Sequence, residues 1–219
     1  MRQLPFEYAA RNLGRSPLRL LLSVGGACLV VLLVLAAAGF VVGMREAMTV
    51  SGSPDGVLLI GSGSEESIER SEIPMRTASI VAASVPGLRS RAGVDAVSPE
   101  IHLALPIVTE SDPQGRLAVI RGIQEQAWLV HDTTRVIAGR APEAGQSELI
   151  AGHLAARSLG FEPPETILGE IFLLDDEPYE VVGLMVADGG VIEGELWTAL
   201  TDLQVTAQRD SLSCVVLRM

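Results

Sequence analysis

The chain has 219 residues, with 16 Lys plus Arg against 27 Asp plus Glu and a formal net charge of −11, and every one of its cations is Arg. A protein without Lys has no phosphate loop of the form G-x-x-x-x-G-K-[ST], so nucleotide hydrolysis would belong to a partner. Residues 1–45 hold five Arg and one Glu, net +4, which leaves −15 on the remainder; that acidic part excludes nucleic acid, whose phosphates need cations to displace counterions, and argues against lying flat on anionic lipid.

Taken in order, residues 4–18 read as an amphipathic approach to a membrane. Leu4, Phe6, Tyr8, Ala9 and Leu13 are placed to face lipid while Arg11 and Arg15 snorkel toward headgroups. A short in-plane helix ending near Gly14 fits, and Pro17 suits the first turn of the next helix. Residues 1–19 are therefore expected to form a cytoplasmic elbow.

Residues 20–44 carry no charge and only one clearly polar side chain, Ser23. At about 1.5 Å per residue such a helix reaches roughly 37 Å, enough to cross a hydrocarbon core of about 30 Å with some tilt. The run is too long for a cleaved signal peptide, and the apolar residues that follow Cys28 do not fit a lipoprotein signal, so an uncleaved anchor is expected. Gly39 and Gly43 form a G-x-x-x-G and are candidates for helix packing, although two small residues in an ordinary span is the commoner meaning of that spacing. Arg11, Arg15 and Arg19 before the span, with Arg2 and against a single Glu7, set the orientation by the positive-inside rule. The expected layout is a single pass in a bacterial inner membrane, N-terminus cytoplasmic, residues 45–219 extracytoplasmic.

After the span the helix is expected to continue over 44–50 and to stop at Ser51-Gly52-Ser53-Pro54-Asp55-Gly56. Residues 57–60 read as a buried strand, 61–72 as a polar loop and the stretch from Pro74 to Ser84 as a helix. Alternation over 95–108, the turn Asp112-Pro113-Gln114-Gly115 and the run 117–122 predict a hairpin. A short helix follows over 124–130, strands over 134–138 and 148–151, and a helix over 153–159 that Gly160 terminates. Strands at 171–174 and 179–184 flank a hairpin at Asp175-Asp176-Glu177-Pro178; a strand at 196–200, a helical turn from Thr201 and a last strand at 212–217 complete the chain. The class is α+β with a mixed sheet behind one N-terminal membrane helix.

Residues that carry chemistry are few. Cys28 in the span and Cys214 near the C-terminus are not expected to meet as a disulfide, and Cys214 reads as a small apolar residue on a strand. His102, His131 and His153 are far apart, with no H-E-x-x-H and no cysteine pair, so no metal site or cofactor is expected; His102 on a strand and His153 at a helix start read as surface or capping residues. His131-Asp132 with one of the serines would make a triad only with a G-x-S-x-G elbow, which is missing. Asp175-Asp176-Glu177 reads as a solvated hairpin tip, and Gly61-Ser62-Gly63-Ser64 as a loop rather than a phosphate cradle. No enzyme is expected.

One resemblance spans nearly the whole chain. Ala10-Arg11-Asn12-Leu13 and Arg15-Ser16-Pro17-Leu18-Arg19 before the span resemble the N-terminal signature of the MacB/LolC/FtsX-type ABC transporter permeases. Beyond the span, Val85-Pro86-Gly87 with Val97-Ser98-Pro99, Arg121-Gly122-Ile123, Ile137-Ala138-Gly139-Arg140, Glu148-Leu149-Ile150-Ala151-Gly152, Tyr179-Glu180-Val181-Val182-Gly183-Leu184 and Glu195-Leu196-Trp197 are similar to that family's motifs in their order. The resemblance implies a MacB-like periplasmic core domain behind the first helix. It also implies an ABC ATPase as partner, with a second membrane chain or a second copy beside it. Family members carry three further membrane helices, which this sequence does not show after Met219, so it implies a split, truncated or derived permease. The expected function is a membrane subunit coupling a partner ATPase to an extracytoplasmic export or extraction event; a single-pass anchored binding or adaptor module is the alternative, and an anchored hydrolase a distant third.

Overall fold

A computed structural model of the chain describes residues 17–51, 53–109 and 112–219. It divides into two units, Met1–Glu46 and Ala47–Met219. The expected in-plane helix, with Arg11 and Arg15, lies outside the described residues.

The first unit is the greater part of one unbroken helix, α1 (Pro17–Ser51). It is helical from Pro17, the first described residue, and runs on past residue 44, ending before a turn in which the Gly56 N–H donates to the Ser53 carbonyl at 3.0 Å. Its stretch Pro17–Glu46 is long and apolar enough to cross a membrane. Leu32 and Phe40 are about two-thirds exposed, at 62% and 69%, an apolar surface of the kind that fits a membrane span. Among the described residues, nothing outside the helix's own nearby backbone and the chain neighbours lies within 4 Å of where a Cβ would stand on Gly39 or Gly43.

The second unit is built on strands, named here in chain order. β1 (Gly56–Ile60) is half-buried rather than buried as expected, because among the described strands it pairs only with β13 and lies at an edge. β2 (Ile73–Pro74), helix α2 (Arg76–Ser84) and the short strands β3 (Ser90–Arg91) and β4 (Val94–Asp95) lead to the long β5 (Val97–Val108) and its hairpin partner β6 (Arg116–Ile123). Helix α3 (Ala127–Val130), β7 (Arg135–Gly139), β8 (Glu148–Gly152) and helix α4 (His153–Ser158) follow. Gly160 ends that helix at φ +98°, where a Cβ would be strained. β9 (Ile171–Leu174) and β10 (Glu177–Val186) form the acidic hairpin, but its turn is only Asp175-Asp176, both at positive φ, and Glu177 and Pro178 already belong to β10. Two left-handed residues match the right-handed twist of the flanking strands, which a longer loop would not need. β11 (Glu195–Ala199), helix α5 (Leu200–Thr206), β12 (Ser211–Leu212) and β13 (Cys214–Arg218) complete the chain.

Six of these strands close on themselves. β5 pairs antiparallel with β6, β6 parallel with β11, β11 antiparallel with β8, β8 parallel with β10, β10 antiparallel with β9, and β9 returns to β5 through Ile107 opposite Leu174. Closure removes the sheet edges that would otherwise stay open. Ile101, Ile120, Leu149, Phe172, Leu174, Tyr179, Val181 and Leu196 belong to one core cluster, with Ala155 and Ala156 of α4 and Leu200 and Leu203 of α5. Each large side chain there contributes roughly 1.5–3 kcal/mol on burial. β13 extends the ring outward, between β5 and β1. The mixed α+β sheet behind an apolar N-terminal helix agrees with the class expected from the sequence.

Candidate functional site

Strand periodicity places a second set of residues on the opposite face of the ring. Ile101, Ile120 and Leu196 point to the core, so Glu100, His102, Arg121, Glu195 and Trp197, each one step away, share the other face. Register then joins them across strands: Cys214 of β13 stands opposite Glu100 of β5, His102 of β5 opposite Arg121 of β6, and Arg121 opposite Trp197 of β11. Helix α3 and the residue after it bring Trp128 and His131 over this face. The result is a buried charge cluster in which Glu100 and Cys214 are 0% exposed and His102 and Arg121 6%.

Arg121 is its hub. Its Nε and Nη2 donate to the two oxygens of Glu195 at 2.6 and 2.7 Å, a bidentate fork, and its Nη1 donates to Glu100 Oε2 at 2.5 Å. Glu195 also accepts from the Trp197 indole N–H at 2.9 Å, and the Arg121 guanidinium carbon lies 5.4 Å from the centre of that ring. His131 Nε2 lies 2.8 Å from Glu100 Oε1 and His102 Nε2 3.5 Å from Glu100 Oε2. Trp128 and His131 each pack 5.5 Å from the Trp197 ring. The Ser213 hydroxyl is occupied by backbone, accepting from the His102 N–H at 3.0 Å and donating to the His102 carbonyl at 3.2 Å.

Protonation follows from this geometry. Burial by itself would raise the Glu100 carboxyl, but the Arg121 and His131 charges beside it, with hydrogen bonds from both histidines, hold it well below the usual carboxylate range. Glu195 is lowered in the same way, burial being outweighed by the Arg121 guanidinium and its hydrogen bonds. Burial would lower Arg121, yet the two carboxylates raise it, so it stays a cation. The Cys214 thiol is pushed up by burial and by the Glu100 and Glu195 charges, so alone it is neutral and a poor nucleophile.

The cluster is not sealed. A cleft of about 470 Å³ reaches it, lined by His102, Arg121 and His131 together with Ile192, Val216 and Arg218.

Several expectations change here. His102 is not a surface residue, because its strand position puts it on the covered outer face of the ring. His131 and Asp132 do not form a relay: His131 turns to Glu100, while Asp132 pairs with Arg218 and lies 3.5 Å from Arg89. Cys214 is buried as expected of a small residue on a strand, but among charges as well as apolar groups. His153 opens α4 half-buried, and Asp175, Asp176 and Glu177 are exposed. Sequence reasoning missed Glu100 and Glu195. The signal was there, in charged residues at alternate positions inside runs that otherwise read as strands.

Comparison with known proteins gives a consistent result. The family model described as MacB-like periplasmic core domain matches residues 20–219. No curated protein sequence matches the chain. Among solved structures, the periplasmic region of MacB from Actinobacillus actinomycetemcomitans superposes with a TM-score of 0.57 at 14% identity, covering 78% of this chain and 77% of that one. The extracellular domain of the noncanonic ABC-type transporter YknZ from Gram-positive bacteria superposes with a TM-score of 0.53 at 14% identity, covering 75% and 83%. With a match over the apolar helix and the whole strand-built unit, the chain belongs to the MacB-like periplasmic core domain family of ABC transporter permeases.

Proposed function

We propose that this protein is a membrane subunit of an ABC-type transporter or mechanotransmission complex, coupling a partner ATPase to an extracytoplasmic export or extraction event. One observation carries the reading: the family match runs without interruption from the candidate membrane helix through the MacB-like domain, residues 20–219. The absence of Lys, and with it of a phosphate loop, from residues 1–219 agrees with it. The N-terminus lies in the cytoplasm, by the Arg excess before the span, and the domain from about residue 45 lies outside the inner membrane. Within that domain the charge cluster is structural: it locks β5, β6, β11 and β13 into one block that can transmit force without unfolding. Gly39 and Gly43, spaced as G-x-x-x-G, are the positions at which a second copy or another membrane chain packs.

The test is an affinity pull-down of the C-terminally tagged full chain from detergent-solubilised native membranes. Recovery of an ABC ATPase, with or without a second membrane chain, is the expected outcome. Recovery of an extracytoplasmic protein with no ATPase would replace this reading by an anchored adaptor.

A further inference from the structure

The fork between Arg121 and Glu195 pairs one cation with one anion, and Arg121 has only Nη1 left for Glu100. Glu100 is 0% exposed, with Arg121 and His102 at its Oε2 and His131 at its Oε1. Three donors of different chemistry converge there: Glu100, His102 and Cys214 offer oxygen, nitrogen and sulfur atoms that all lie within 4.8 Å of one another.

We propose that Glu100, His102 and Cys214 form a binding site for one zinc-class divalent metal ion that clamps β13 onto β5. The donor set suits a borderline-soft ion, and bonds of about 2.0–2.3 Å give a tetrahedral site with edges of about 3.3–3.8 Å. The Glu100 Oε2 and His102 Nε2 atoms are already 3.5 Å apart, and small side-chain rotations close the remainder. Binding displaces the Cys214 thiol proton to solvent, so that two positive charges meet the thiolate and the Glu100 carboxylate. A nearby divalent ion also reverses the electrostatics that otherwise keep that thiol protonated. Outer partners are in place, since His131 on Glu100 Oε1 and Arg121 on Oε2 fix the carboxylate plane. His102 lines the cleft, which provides the entry route and the water for a fourth position. Because Cys214 and Glu100 face each other in register, the ion bridges two neighbouring strands rather than distorting the sheet.

The experiment uses the full chain in detergent, purified without a polyhistidine tag and carrying Cys28→Ala so that Cys214 is the only thiol. Titration with Co²⁺ is expected to give one equivalent of bound ion, visible bands of tetrahedral cobalt and a near-ultraviolet thiolate-to-cobalt band, all displaced by Zn²⁺. Cys214→Ser abolishes the thiolate band, His102→Gln weakens binding by at least about 10-fold, and His153→Gln leaves it unchanged. Zn²⁺ raises the unfolding temperature of the parent but not of Cys214→Ser. The proposal is overturned if the folded parent, judged by tryptophan fluorescence, binds no Co²⁺, or if it binds without a thiolate band. The wild-type spectrum decides the matter even where a variant fails to fold.

Discussion

Replacing Arg121 by Met tests whether the buried cluster is held by the guanidinium or merely tolerated. Methionine keeps much of the aliphatic volume but removes all three N–H bonds to Glu195 and Glu100. Breaking one side of a buried ion pair costs about 3–5 kcal/mol, because the carboxylates stay behind without a partner. Against a typical stability of about 5–15 kcal/mol that is a large share. Both Trp residues in the sequence, Trp128 and Trp197, stand at the site, so urea unfolding followed by their fluorescence reports on it directly. The pH dependence carries the sharper sign. In the parent, Glu100 and Glu195 are depressed in the fold, so their stabilisation is fully present above the unfolded value of about 4.3 and is lost as pH falls through the folded values. In Arg121→Met burial is no longer outweighed, the folded carboxyls rise above that value, and protonation relieves them. The deficit relative to the parent should therefore shrink as pH is lowered from 7 toward 5. Adding Glu195→Gln to the variant should restore at least about 1 kcal/mol, since it removes a stranded charge. A loss below about 1 kcal/mol at pH 7, or a deficit that grows on acidification to pH 5, would refute the argument.

Three further outcomes are expected. Asp202 accepts the Gly145 N–H at 2.8 and 3.0 Å and the Ser147 N–H at 3.1 Å, so Asp202→Ala should destabilise by about 1–3 kcal/mol and raise hydrogen exchange at residues 143–147 before any global unfolding. A Cβ on Gly152 would stand 2.2 Å from the Glu193 carbonyl oxygen, so Gly152→Ala should cost at least about 1–3 kcal/mol, read as a lower urea midpoint with unchanged slope. Exchanging Arg11, Arg15 and Arg19 for Glu should invert or scramble the membrane orientation, which protease protection of the C-terminal domain in right-side-out vesicles would show; full protection of the parent domain from outside would contradict the proposed topology.

Local chemistry is what a linear reading captures well here. The apolar run from Leu20 to Met44 marks the helix, because hydrophobic length acts without reference to the rest of the chain. Hairpins at Asp112-Gly115 and Asp175-Asp176, and the Gly160 stop, are equally local. Burial of a strand is not local. Residues 57–60 read as buried, yet β1 lies at an edge, and only the order of strands in the sheet decides that.

The charge cluster shows the same division. That Glu100, His102, Arg121 and Glu195 sit at alternate positions of strand-like runs was open to view in the sequence, as were the motifs that resemble a permease family. Their meeting was not, since Arg121 and Glu195 are 74 residues apart and Glu100 and Arg121 21 apart. A period of two decides which face a side chain takes but not what covers that face. Closure of six strands, the register that sets Cys214 opposite Glu100, and α3 folding Trp128 and His131 over the outer surface turned a solvent-facing row into a buried one. Once water is excluded, unpaired charge is expensive, and that condition arises only from tertiary structure.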